Sequence, residues 1–207
     1  MIALKEQISL LRNFLRSGFR RSVLLCAAGF LVAGIVGYII GTNSPETIES
    51  VIGYFMAVVE QSGVIEDDGS ISVFALLANN WSAMMISALY GLIPFAFLPV
   101  SSLLTNGFIL GITGAMYQMY DQPLSLWLSA LLPHGIFELP ALVLSIACGV
   151  YLCFHICRLI LRYPNRAPMV DVFCNVLRVM LLLVAPLTIA AAFVEAYITP
   201  VVMALFQ

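Results

Sequence analysis

From Ser70 to Tyr120 the chain carries no charged residue. About fifty residues of helix would run about 75 Å, against a hydrocarbon core of ~30 Å. Such a stretch must cross a bilayer twice, which predicts spans at about 71–93 and 100–120. Pro94 and Pro99 mark the tight turn Ile93-Pro-Phe-Ala-Phe-Leu-Pro99 between them. The rest of the 207 residues agree: 62% are hydrophobic, 10% are charged, and mean hydropathy is +1.03. Soluble domains carry about 25% charged residues. The chain reads as an all-α, polytopic membrane protein bound to the lipid bilayer.

Three further spans follow from the same reasoning. The first lies at about 22–41. It is preceded by residues 1–21, an amphipathic segment with Lys5, Arg12, Arg16, Arg20 and Arg21 beside an apolar face of Ile8, Leu11, Leu15 and Phe19. That segment either lies on the inner membrane surface or packs against the bundle. The run that follows it reads as a retained signal anchor rather than a cleaved signal peptide. Residues 124–157 are too long for one straight span and too short for two. They form either one helix kinked at Pro133 and Pro140, or a short re-entrant segment followed by a span. The last span covers about 179–202, with Asp171, Asn175 and Arg178 in an interfacial run before it.

Between the first two spans lies an acidic external segment, 42–70. Ser44-Pro45-Glu46 reads as a helix start. Ile48, Ile52, Phe55, Met56 and Val59 then recur at helical spacing to about residue 61, and Glu66-Asp-Asp-Gly69 reads as a turn. Charge orients the whole. With the N-terminus inside, all nine basic residues fall on the cytoplasmic side, the side that Lys and Arg favour. Glu46, Glu49, Glu60, Glu66, Asp67, Asp68 and Asp121 then fall outside, giving five spans, N-in and C-out, as a multi-pass protein of the cell membrane. Cys26, Cys148, Cys153, Cys157 and Cys174 then lie in or near the cytoplasmic half, where thiols stay reduced. They are expected to pack as small apolar groups.

Small residues recur every fourth position at Gly29, Ala33, Gly37 and Gly41, and again at Gly107, Gly111 and Ala115. Such ridges let helices approach closely, and they suggest a homodimer. The chain lacks a phosphate-binding glycine loop, a dinucleotide fingerprint and a continuous basic stripe, so neither a cofactor nor a nucleic-acid partner is expected.

Polar residues inside the hydrocarbon are costly and mark places of interest. Here they are His134, Glu138, Glu195, Asn80 and Asn106, with Gly135 beside His134. His134 and Glu138 are spaced i,i+4, on one face of a helix. No basic residue lies at comparable depth in either span. Each carboxylate is therefore protonated, paired with His134, hydrogen-bonded to an asparagine, or bound to an ion. A polar lock between the fourth and fifth spans is the expected role. Metal ligation by His134, Glu138 and Glu195 is an alternative, although the pattern is His-x-x-x-Glu rather than His-Glu-x-x-His. Ion-coupled transport is another, without an inverted repeat to support it. No nucleophile with a matching base is present.

Leu132-Pro-His-Gly-Ile-Phe-Glu-Leu-Pro140 resembles the His-Gly-x-x-Glu signature of the stage II sporulation protein M family. Phe193-Val-Glu-Ala-Tyr-Ile-Thr-Pro200 resembles that family's closing Glu-x-x-x-Thr-Pro element. The resemblance runs the length of the chain. It implies a cell-envelope membrane protein and not an enzyme. Founding members act in engulfment during sporulation, where they are thought to anchor two peptidoglycan-degrading enzymes. It therefore implies a scaffold with peptidoglycan hydrolases as partners on the external face. His134, Glu138 and Glu195 carry over as a motif, not as a catalytic site.

Overall fold

The computed structural model describes residues 2–65, 71–164 and 166–206, so the turn expected at 66–69 lies outside the described residues. Among the described residues the architecture is all-α, with one isolated bridge between Ile65 and Ile71. The helices are α1 (Ile2–Leu15), α2 (Phe19–Asn43), α3 (Pro45–Ser62), α4 (Val73–Leu89), α5 (Leu98–Met119), α6 (Leu124–Ile160), α7 (Met169–Val179), α8 (Ala185–Phe193) and α9 (Thr199–Ala204). A 3-10 turn at Tyr90–Leu92 extends α4. Among the described residues five rods are long and apolar enough to cross a membrane: α2, α4 with its 3-10 turn, α5, α6, and the run Met169–Ala204 that joins α7, α8 and α9.

The joints in that last rod are two wide π turns, Met180–Val184 and Val194–Ile198. Pro186 and Pro200 follow them directly. Proline has no N–H to offer the carbonyl four residues back, and its ring crowds that carbonyl. A π turn moves the carbonyl aside and keeps the rod continuous. In α6 the helix runs unbroken through both Pro133 and Pro140, so the re-entrant alternative is not adopted.

The small ridges pack within the chain. A Cβ at Gly107 would stand 2.7 Å from the Phe30 carbonyl oxygen and 2.8 Å from the Ala33 Cβ, and one at Gly41 would stand 2.6 Å from the Ala115 Cβ. Gly37 lies against the Phe108 backbone, and Gly111 against that of Gly34. Together these contacts make α2 and α5 the most extensive helix pair in the bundle. Each ridge is consumed by the other, so the homodimer expectation loses the surface on which it rested. A second close crossing, which the ridge pattern did not reveal, sets Gly91 against the Gly149 backbone. There a Cβ on Gly149 would meet the Pro99 ring at 2.8 Å.

The N-terminal helix packs on the bundle. Leu11, Phe14 and Phe19 are buried, and Phe14 and Phe19 both meet the Tyr151 ring edge-on. Ile8, expected on the apolar face, is exposed, and Phe14 takes its place. Arg178 ties this end together, donating to Gln7 at 2.6 Å and to Asn175 at 2.7 Å.

The α4–α5 turn needs side-chain support because Phe95 and Phe97 both adopt left-handed backbone, φ 64° and 46°. Each costs about 1–2 kcal/mol for a residue with a Cβ. Cysteines of α6 supply that support: the Phe95 N–H donates to Cys157 Sγ at 3.2 Å, and the Cys153 thiol donates to the Ile93 carbonyl at 3.6 Å. These two cysteines therefore act as weak polar caps, a role beyond the apolar packing expected of them.

Candidate functional site

α6 carries His134 and Glu138 about one turn apart, three to four turns from its start. The proline-driven π turn Val194–Ile198 brings Glu195 onto the same patch from the last rod. One ligand atom from each of His134, Glu138 and Glu195 lies within 4.8 Å of the others. His134 Nε2 stands 3.7 Å from Glu138 Oε2, an ion-pair distance too long for a direct hydrogen bond. His134 Nδ1 lies 3.3 Å from the Thr199 hydroxyl, at the start of α9. That hydroxyl donates to the Val194 carbonyl at 3.2 Å, five residues back across the π turn. Gly135 is buried beside this group, and a Cβ there would make only ordinary contact with Leu131 and Leu139.

The three charged members are partly buried, with His134 and Glu138 side chains 15% and 26% exposed. No Lys or Arg occurs between Gln122 and Cys157 or after Arg178. The imidazole is therefore the only neighbour within these two spans that can carry positive charge. The arrangement can hold a proton or a cation between two carboxylates, and it fastens the far end of the last rod to α6.

The asparagines are placed differently. Asn106 is exposed on α5, where its amide folds back on the Ser102 carbonyl at 2.8 Å; it does not belong to a buried polar motif. A side-chain amide that bonds its own preceding turn needs no interhelical partner, which is why it can face outward. Asn80 is half-buried on α4, and its amide nitrogen is buried without a hydrogen-bond partner among the described residues.

A polar layer that the sequence reading missed crosses three helices one to two turns from the cluster. Ser145 of α6 donates to the Met84 carbonyl of α4, and Thr188 of α8 donates to Met84 Sδ at 3.0 Å and to the Val184 carbonyl at 2.8 Å. Ser145 and Thr188 are fully buried. Their signal was present as hydroxyls in otherwise apolar spans, which often hydrogen-bond across helices.

The family model described as stage II sporulation protein M matches residues 24–200, a stretch that includes His134, Glu138, Glu195 and Thr199. The chain belongs to the stage II sporulation protein M family. The match leaves α1 outside and takes in the bundle from α2 to the start of α9. An uncharacterized protein of Methanocaldococcus jannaschii is 29% identical over 126 residues, covering 61% of this chain and 70% of that relative. No solved structure matches the chain.

Proposed function

We propose that this protein is a membrane-embedded scaffold that holds a partner at α3, on the external side of an N-in, C-out bundle. The observation that carries this reading is the placement of α3. Ile48 anchors its first turn, buried against Ile112 and Ala115 of α5. The helix then leaves the bundle, and residues 53–58 are exposed all round. They include Tyr54, Phe55, Met56 and Val58, with Tyr54 71% exposed. Glu46, Glu49 and Glu60 are exposed on the same helix. An apolar stretch of this kind is unfavourable in water and marks a docking surface or a membrane contact.

Family resemblance supplies the class of partner, a peptidoglycan hydrolase acting outside the membrane. The basic residues of α1, the start of α2 and the α6–α7 connection, set against Glu46, Glu49 and Glu60 on α3, support the orientation. The chain itself needs no catalytic group in this role; it supplies position. The test is affinity capture from native membranes with the full chain and with a Tyr54→Ser, Phe55→Ser variant. The proposal expects wall hydrolases with the full chain and their loss with the variant. Recovery of no wall enzyme, or equal recovery with both proteins, overturns it.

A further inference from the structure

The contacts around His134 accommodate a neutral ring whose Nε2 faces the carboxylates. A threonine hydroxyl has one proton to give. Thr199 gives it to the Val194 carbonyl, at 3.2 Å. Only hydroxyl lone pairs then face His134 Nδ1 at 3.3 Å. With that assignment the Thr199 hydroxyl can accept from a protonated Nδ1, which leaves Nε2 with its lone pair. That nitrogen points at Glu138 Oε2, 3.7 Å away, with Glu195 completing the group. Three electron-pair donors thus converge in a region with no other cationic side chain. Convergence of this kind is unfavourable unless a proton or a cation sits among them.

We propose that His134, Glu138 and Glu195 bind a divalent transition-metal ion, with Zn²⁺ the best fit, and that Thr199 is the positioning residue for the histidine ligand. Neutral imidazole with two carboxylates is a zinc-type ligand set. Bonds of about 2.1 Å in a tetrahedron place ligand atoms ~3.4 Å apart. The Nε2–Oε2 separation of 3.7 Å already lies close to that edge. The widest separation of the set, within 4.8 Å, closes with a side-chain shift of about an ångström. One Zn²⁺ also balances the two carboxylate charges with the histidine neutral. The Nδ1–H to Thr199 contact is the outer-shell bond that ligating histidines characteristically make. Three protein ligands leave one tetrahedral position for water.

The ion would staple α6 to the π-bulged end of the last rod. This explains the bulge in a way that proline alone does not: Pro200 requires a local widening, and the widening also carries Glu195 to the cluster and sets the Val194 carbonyl, which accepts from the Thr199 backbone N–H, within reach of the Thr199 hydroxyl. The site stands or falls independently of the scaffold reading.

The full-length protein, purified in detergent, stripped with chelator and reloaded with zinc sulfate, is tested by elemental analysis and by the visible spectrum of its Co²⁺ form. The expected result is a single zinc per chain and a low-symmetry Co²⁺ spectrum in the wild type. Both are lost in a His134→Asn, Glu138→Gln, Glu195→Gln variant. Thr199→Val is expected to keep the helical fold and lose roughly 10–100-fold in zinc affinity, the usual effect of removing an outer-shell partner. Asn106→Ala, outside the cluster and bonded to its own helix, is expected to match the wild type. If the triple variant fails to fold, Thr199→Val against Asn106→Ala decides the matter. Zinc uptake by the wild type no greater than by the triple variant, or equal affinity in the Thr199→Val and Asn106→Ala proteins, overturns the proposal.

Discussion

A single methyl group at Gly107 tests how the bundle is held together. In Gly107→Ala the new Cβ would stand 2.7 Å from the Phe30 carbonyl oxygen and 2.8 Å from the Ala33 Cβ. Relief to ordinary contact requires α2 and α5 to part by about 0.7–1 Å. A gap of that size forfeits about a quarter to a half of each dispersion contact along the seam. Overpacking of this kind costs about 1–3 kcal/mol. Alanine recovers up to about 1 kcal/mol through its better helix propensity. The net effect is then a loss of up to about 2 kcal/mol. The matched control is Gly53→Ala in α3, where a Cβ meets nothing within 4 Å. There the propensity gain stands alone, so stability rises by up to about 1 kcal/mol. Thermal unfolding in detergent micelles, followed by circular dichroism, reads both variants. Opposite signs are expected. A Gly107→Ala protein as stable as wild type, or a Gly53→Ala protein equally destabilised, refutes the reasoning.

Three further outcomes follow. Thr188→Val removes the hydroxyl from the Met84 layer while keeping shape, and is expected to lower stability by about 0.6–1.7 kcal/mol in the same unfolding assay; no loss would show that the layer contributes only packing. Phe14→Ala empties a buried site against Phe19 and Tyr151 and is expected to cost about 3–5 kcal/mol, with proteolysis newly cutting near Ser17; unchanged protease resistance would place the hold on α1 elsewhere. Cys174 is the exposed thiol, while Cys26, Cys148, Cys153 and Cys157 are buried. An impermeant maleimide is expected to label Cys174 in inside-out vesicles and to spare right-side-out ones, and the reverse pattern would invert the proposed orientation.

The five apolar rods were legible because length and charge leave few options inside a bilayer. A fifty-residue uncharged run has to turn back once, and Pro94 and Pro99 say where. The ridges from Gly29 to Gly41 and from Gly107 to Ala115 were legible as close-packing surfaces, but not as partners of each other. Spacing along one helix carries no information about which helix answers it. The same limit explains α1: a face with Ile8 and a face with Phe14 differ by less than a turn, and only the Tyr151 ring decides between them.

His134, Glu138 and Glu195 were legible as costly residues, and their meeting is a consequence of distant chain segments. What the sequence hid was the π turn at Val194–Ile198. Pro200 hints at a disturbed helix, yet nothing local says that the disturbance takes the form of a bulge rather than a kink. Thr199 went unremarked as a partner for the same reason. Asn106 shows the converse error: an asparagine in a span was read as buried, while bonding to its own helix lets it face outward.

The central claim is that α3 presents a docking surface to a partner outside the membrane. Its most direct test is a photo-crosslinking amino acid placed at Tyr54 in native membranes, with Leu31 on α2 as the lipid-facing comparison. The account predicts that Tyr54 captures a wall-degrading enzyme and that Leu31 does not. Capture of lipid alone at both positions would contradict it.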